Sequence, residues 1–211
     1  MNYYLLKMIA NIPKVLKKIY PLLNWDETPD GNEVFLTFDD GPIPEVTPWV
    51  LEKLKEYDVK ATFFCIGDNV LKHPKIYQRI LDEGHAVGNH THKHLKGWNT
   101  DDGTYLKDIE NAGEFISSNL FRPPYGRIKK SQIKLIQSLN YHIIMWSILS
   151  GDYNKNRSPE ACFNNVKRNL KPGSVVVFHD SIKANNNMRY ALEKTLIFMR
   201  ENNFKGVSIK R

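Results

Sequence analysis

The chain has 211 residues, of which 41% are hydrophobic and 25% charged, and its formal net charge is +7. This size and composition fit one globular domain, and the lack of internal repeats or low-complexity runs excludes a solenoid or a largely disordered protein. The positive charge favours anionic surroundings, but the lysines are dispersed and no nucleic-acid-binding motif is present, so we expect no nucleic-acid partner.

Residues 1–24 are apolar with interspersed lysines, and we predict an amphipathic segment here, followed by a single domain over residues 25–211. The uncharged runs are too short to span a bilayer, and no small-residue cleavage site follows them. Two interpretations stay open: a basic helix in peripheral contact with a membrane, or a helix packed against the domain. The sequence leaves open whether the protein acts in the cytoplasm, at the membrane or in the envelope, and in what oligomeric state.

From residue 33 onward, short apolar strands alternate with amphipathic helical segments. The predicted strands are 34–38, 61–66, 86–88, 119–122, 142–146, 174–178 and 206–209. The predicted helices are 50–57, 76–81, 105–116, 131–139, 161–170 and 190–200. Helix-start signals occur at Thr47 and at Ser158, each followed by a proline. This alternation predicts an α/β fold with a parallel sheet, in which chemistry takes place at the carboxyl ends of strands.

Reactive side chains follow the ends of five predicted strands. They are Asp39 and Asp40 after the first strand, three histidines within residues 90–94 after the third, Arg122 at the end of the fourth, Asp152 beyond the fifth and His179 at the end of the sixth. Because the carboxyl ends of parallel strands share one edge of the sheet, we expect these side chains to lie close together.

The first strand ends in two adjacent carboxylates, Asp39 and Asp40, followed by Gly-Pro. Neighbouring side chains of an extended segment point in different directions, so one carboxylate can hold a metal ion while the other accepts a proton. The alternative is a simple turn, because Asp, Gly and Pro all favour turns.

His90 and His94 are four residues apart, so their side chains share a face of a helical turn and also of an extended segment. Two imidazoles and one carboxylate form a common ligand set for a divalent metal ion with open coordination positions. An isolated pair of this spacing is more often incidental, but Asp40 at a neighbouring strand end favours a metal site.

These motifs resemble those of the polysaccharide deacetylases of the NodB-homology group, carbohydrate esterase family 4. Residues 37–42 match the family's first motif, residues 90–94 its second, and residues 122–126, Arg-Pro-Pro-Tyr-Gly, its third. The resemblance covers residues 33–211. It implies an irregular (β/α)7 barrel in a single domain, an N-acetylated glycan as substrate, and a divalent metal ion, with zinc favoured over cobalt, nickel or manganese.

The resemblance also implies a role for each residue. Asp40, His90 and His94 would hold the metal ion. Asp39 would be the catalytic base, held by Arg122, and the backbone N–H of Tyr125 would help to stabilise the oxyanion. His179 would be the catalytic acid, oriented by Asp152, which would also favour its charged form.

The last two motifs depart from the family pattern. Leu149 stands where the family has an aspartate, Tyr153 where it has the tryptophan that flanks the acetyl group, and Val177 where it has a leucine. The changes at 153 and 177 keep apolar bulk, whereas the change at 149 bears on the support of the acid and on which substrate fits.

Several other residues have two interpretations. Trp98, Trp146 and Tyr125 are candidates for a sugar-binding groove, with core packing the alternative for Trp146. We interpret His92 as a variable or substrate-facing residue and Asp180 as a cap of the following segment.

The sequence therefore predicts a metal-dependent hydrolase that removes N-acetyl groups from a glycan containing N-acetylglucosamine, of the chitooligosaccharide or peptidoglycan type. Two alternatives remain: the same site acting on another small amide or cyclic imide, and a glycan-binding relic without turnover. Retention of both Asp39 and His179 argues against the relic, because metal binding alone requires neither.

Overall fold

The structure is a computed structural model that describes residues 14–210. Positions 1–13 of the predicted amphipathic segment lie outside the described residues. The rest of that segment contains helix α1, Lys14–Ile19. Within residues 14–210, no helix has the length and apolar character needed to cross a membrane.

Eight strands form one sheet in the described part of the chain, and their pairings are parallel. They are β1 (Glu33–Asp39), β2 (Thr62–Cys65), β3 (Ala86–Asn89), β4 (Leu120–Phe121), β5 (His142–Ile143), β6 (Ile148–Leu149), β7 (Val175–His179) and β8 (Lys205–Gly206). Their order is β5-β4-β3-β2-β1-β7-β6, with β8 paired to β1. The predicted parallel α/β fold is confirmed.

Helices connect most of the strands. After α1 they are α2 (Thr47–Glu56), α3 (Gly67–Lys72), α4 (Pro74–Asp82), α5 (Asp102–Gly113), α6 (Lys130–Ser138), α7 (Pro159–Lys167) and α8 (Asn185–Glu201). The Ser158 side chain accepts a hydrogen bond from the N–H of Ala161, as an N-cap does. Thr47 instead begins α2 without capping it. Helix α3 was not predicted, because six residues with few apolar positions show no helical period.

The sheet forms an irregular barrel whose strand order ends at β5 on one side and β6 on the other. Residues 144–147 carry the chain across this opening, so the predicted fifth strand, 142–146, is too long. The N-terminal segment contributes here, because the Asn24 carbonyl accepts a hydrogen bond from the N–H of Met145 at 2.6 Å. Residues 20–25 therefore lie beside the open part of the barrel.

Side chains alternate along β1 between two apolar clusters. The even-numbered residues from Val34 to Phe38 pack with buried residues of α2 and α8, whereas Phe35 packs with odd-numbered residues of β7. Thr37 and Asp39 lie on the same face as Phe35. The sheet register also pairs Asp39 with His179 at the end of β7. Strand periodicity thus directs Asp39 and His179 toward the same side of the sheet.

Trp25 is buried in the second of these clusters together with Leu23. Its indole N–H donates to the carbonyl of Tyr20. This burial reflects long-range packing against the barrel opening, for which the local sequence carries no signal.

Candidate active site

The structure brings Asp40, His90 and His94 together at the carboxyl ends of β1 and β3. Each offers one ligand atom, and the three atoms lie within 4.8 Å of one another. The Nε2 atom of His94 is 3.2 Å from Oδ1 of Asp40, and Nε2 of His90 is 3.9 Å from the same oxygen. In tetrahedral geometry, ligand atoms about 2 Å from a zinc ion lie roughly 3.3 Å apart, so the separations suit a small divalent cation.

Hydrogen bonding and burial prepare His90 for metal binding. Its Nδ1 atom lies 2.7 Å from the carbonyl oxygen of Arg122, which can only accept, so Nδ1 carries the proton and Nε2 has a lone pair. Burial lowers the pKa of His90 to about 4, against the raising effect of Asp39. The imidazole is therefore neutral at physiological pH, the form that binds a metal ion.

Asp40 remains ionised in this setting. Burial alone would raise its pKa, but the hydrogen bond to His94 and the nearby His179 hold the pKa of this carboxyl well below its usual range. Two imidazole nitrogens and one carboxylate oxygen are the donor set that we expected for a divalent cation, and the residues present fit such an ion.

The turn that presents Asp40 is braced by Asp180. Asp180 is fully buried, and its carboxyl group accepts from the N–H of Gly41 at 3.0 Å and from the hydroxyl of Thr47 at 2.6 Å. A Cβ atom at position 41 would lie 2.0 Å from Oδ2 of Asp180, so only glycine fits. Our interpretation of Asp180 as a cap of the following segment is wrong, because its side chain is engaged with residues 41 and 47.

Arg122 is completely buried and holds Asp39. Its Nη1 atom donates to Oδ1 of Asp39 at 2.8 Å and to the hydroxyl of Thr37 at 2.7 Å. Its other nitrogens donate to the carbonyls of Ile144 and Met145, at 3.1 and 2.8 Å. The family resemblance implied the contact with Asp39, but not the carbonyl acceptors, which come from the irregular crossing after β5.

We expect Arg122→Met to destabilise the fold by about 3–5 kcal/mol, because it leaves the carboxylate of Asp39 buried without its cationic partner. The free energy of unfolding in urea measures this loss. The matched control is Arg79→Met, whose partly exposed pair with Glu83 contributes about 1 kcal/mol or less. A loss no larger in the first variant than in the control would contradict the proposed bracing.

His179, which is partly buried, forms a second ion pair with the fully buried Asp152. Nδ1 of His179 lies 2.8 Å from Oδ1 of Asp152, and the backbone N–H of His179 donates to Oδ2 at 2.7 Å. Burial alone would lower the pKa of His179, but Asp152, with smaller contributions from Asp40 and Asp39, raises it to about 9. The imidazole is therefore protonated at neutral pH and able to give up a proton.

Tyr125 lies beside the candidate metal ligands in the short 3₁₀ turn Pro124–Gly126. Its backbone has a φ of 61°, and its ring centroid is 4.6 Å from that of His94. The ring is half-exposed, and Lys96 Nζ is 4.8 Å from its centroid. Trp98, also partly exposed, donates its indole N–H to the carbonyl of Ile128.

These residues surround one cavity of about 330 Å³. Its lining includes Asp39, Asp40, His90, His94, Tyr125 and His179, together with Trp98, Trp146, Leu149, Tyr153 and Val177. Arg122 and Asp152 lie behind this lining and contact it through Asp39 and His179. All eight residues that we predicted for the site therefore meet at one place, either in the cavity wall or directly behind it.

The structure also places His92 and Trp146, each of which had two interpretations. His92 stacks on Phe115 with ring centroids 5.9 Å apart, and its N–H donates to Asp108, so it is a packing residue. Trp146 is 7% exposed and also lines the cavity, so core packing and cavity lining are both true of it.

The family model for polysaccharide deacetylase matches residues 26–144. Two peptidoglycan-N-acetylglucosamine deacetylases of Bacillus cereus are similar in sequence. The first is 41% identical over 71% of this chain and 56% of its own length, and the second is 33% identical over 89% of this chain and 91% of its own length. The match thus spans little more than half of the first relative.

A solved structure is similar over nearly the whole chain. It is a crystal structure of a peptidoglycan N-acetylglucosamine deacetylase in complex with 4-naphthalen-1-yl-N-oxidanyl-benzamide, with a TM-score of 0.85 and 34% sequence identity. The alignment covers 94% of this chain and 95% of the other. It supports the irregular barrel that the motifs predicted.

Proposed function

The chain belongs to the polysaccharide deacetylase family, and on that premise we propose that it is a metal-dependent hydrolase removing N-acetyl groups from a glycan that contains N-acetylglucosamine. The observation that carries the proposal is the meeting of a metal-ligand set, Asp40, His90 and His94, with a carboxylate and a protonated imidazole in one cavity. The names of the two bacterial relatives favour peptidoglycan as the glycan.

Asp40, His90 and His94 would hold the metal ion, and the two nitrogens and one oxygen favour zinc, with cobalt, nickel and manganese as alternatives. When bound, such an ion lowers the pKa of water and polarises an amide carbonyl. Asp40 supplies a negative charge, and His90 is kept neutral by burial, so the site binds a divalent cation without prior loss of a proton from this imidazole.

The chain's own residues move the protons. Asp39 accepts a proton from the attacking water, and Arg122 fixes this carboxylate through its Oδ1 atom. The backbone N–H of Tyr125 helps to stabilise the oxyanion. His179 gives its proton to the departing amine, while Asp152 holds Nδ1 and so fixes the ring. The base and the acid act from β1 and β7, which are adjacent in the sheet.

We expect Asp152→Asn to move the alkaline limb of the pH profile of kcat to lower pH. The pKa of His179 is raised to about 9, so its acid form is present below that pH and is lost above it. Removing the carboxylate removes the largest raising effect, and the limb should shift down by about one pH unit or more. A profile of kcat against pH measures the shift. An unchanged alkaline limb would exclude His179 as the acid supported by Asp152.

A different small amide or cyclic imide is a second candidate substrate, and one observation favours it. Leu149 lies in the cavity wall where the family has an aspartate, and Tyr153 packs against His179 with ring centroids 5.1 Å apart. The wall near the acid therefore differs from that of typical family members.

Acetate release tests the proposal. The protein, loaded with zinc or cobalt, is incubated with chitooligosaccharides, peptidoglycan and a panel of small amides and imides, with chelated protein as control. We expect metal-dependent acetate release from at least one of the glycans. The imides release no acetate, so their turnover is followed as ring opening. Turnover of only the small amides or imides would favour the second candidate, and no turnover of any substrate would favour a glycan-binding relic.

A further inference from the structure

The cavity continues from the reacting groups into an apolar region that an acetyl group does not fill. This inner wall consists of buried side chains, each less than 9% exposed: Leu23, Trp25, Met145, Trp146, Leu149 and Val177. The whole cavity has a volume of about 330 Å³. This is roughly ten times the volume that one water molecule takes up in the liquid, and a methyl group is about as large as one water molecule.

The chemistry of the inner wall does not suit a sugar ring. The indole N–H of Trp25 already donates to Tyr20, and that of Trp146 is buried away from the cavity without a partner in the described part of the chain, so neither offers a donor to a sugar hydroxyl. A pyranose carries several hydroxyl groups, and burying most of them without partners costs free energy. The partly exposed rings of Trp98 and Tyr125, at the outer part of the cavity, suit a sugar better.

We infer that the inner region is an acyl-chain pocket and that the protein binds and hydrolyses N-acyl glycans with chains longer than acetyl. The inference rests on the proposed function, because it places the amide carbonyl of the same substrate at Asp40, His90 and His94. The acyl chain then points toward Leu149 and Trp25, and the sugar lies at Trp98. The reaction stays a hydrolysis: water adds, the C–N bond breaks, and a longer carboxylic acid and an amine are released.

Residues 20–25 form part of this pocket. Leu23 and Trp25 close the wall beside the barrel opening, next to Met145, whose N–H donates to Asn24. Leu149 faces the same cavity from β6, and an aspartate at this position would place a carboxylate in the apolar wall. Leucine in place of the family's aspartate at position 149 therefore favours binding of an apolar acyl chain.

Binding to the full chain without added metal tests the pocket independently of turnover. The probes are N-acetylglucosamine and glucosamine acylated with propionyl, butyryl and hexanoyl groups, titrated by tryptophan fluorescence or calorimetry. We expect Kd to fall by about fourfold for each of the first methylenes, as for complete burial of each group. A hexanoyl ligand that binds no more tightly than the acetyl ligand would overturn the inference.

A pair of matched variants tests where the acyl chain of the ligand lies. Leu149→Phe reduces the space in the wall and should lower the preference for hexanoyl over acetyl at least tenfold. Leu139→Phe makes the same change at a half-exposed position outside the cavity lining and should leave that preference unchanged. Equal preferences in the two variants would mean that the acyl chain lies elsewhere, and would overturn the assignment of the inner region as its pocket.

Hydrolysis of re-acylated chitooligosaccharides separates this inference from the proposed function. Release of acetate, together with butyrate or hexanoate at a comparable kcat/KM, supports both. Release of acetate alone, with no gain in binding for longer chains, overturns the pocket and leaves deacetylation standing. A gain in binding with no release of any acid supports the pocket and overturns the proposed function.

Discussion

Asp39→Asn should lower kcat for deacetylation by about 10³-fold while the protein still binds one metal ion, because the variant loses the proton acceptor but none of the metal ligands. The amide oxygen of asparagine can still accept from Arg122, so the fold around the site is retained. Acetate release under saturating substrate measures kcat, and calorimetric titration with zinc measures the metal affinity.

The control for this variant is Asp82→Asn, which makes the same change at an exposed position on α4 and should keep full activity. Near-normal acetate release by Asp39→Asn would remove Asp39 as the base. Loss of metal binding together with activity would show that Asp39 is itself a ligand, contrary to the roles proposed for the two adjacent carboxylates.

His90→Gln should weaken zinc binding by about a hundredfold or more and abolish acetate release at limiting zinc. Glutamine keeps much of the volume of histidine but has no imidazole nitrogen. Even the loss of a residue that only hydrogen-bonds to a metal ligand typically lowers metal affinity by about 10–100-fold. Zinc titration and acetate release measured at the same zinc concentrations report the two effects.

His142→Gln is the matched control, because His142 is an exposed histidine in β5 and does not line the cavity. It should leave zinc binding and activity unchanged. If His90→Gln binds zinc as well as the control does, the ion is held by a different set of residues.

The sequence predicted that the candidate site residues would lie close together, because they follow buried strands. Strand β1 is a continuous apolar run, and its period of two places Asp39 on the face of Phe35 and directs it to Arg122. The spacing of His90 and His94 brought these residues to Asp40 as expected. Local pattern was sufficient here, since each residue is positioned by the element that precedes it.

The features that the sequence did not predict depend on contacts between distant parts of the chain. Asp180 braces Gly41 across 139 positions. Trp25 is buried against the barrel opening although its neighbours in sequence are polar. Strand β6 has two residues and pairs with β7, so it is too short to show a periodic pattern in the sequence. Each of these features depends on packing between distant parts of the chain, which a short stretch of neighbouring residues does not reveal.

We propose that Asp40, His90 and His94 hold one divalent cation beside Asp39. Anomalous diffraction at the zinc absorption edge, from crystals grown with zinc, tests this most directly. We expect one strong peak at about 2.0–2.2 Å from one oxygen of Asp40 and one nitrogen of each imidazole, with Asp39 outside the coordination sphere. A peak coordinated by other residues, or no peak among these three side chains, would contradict the account.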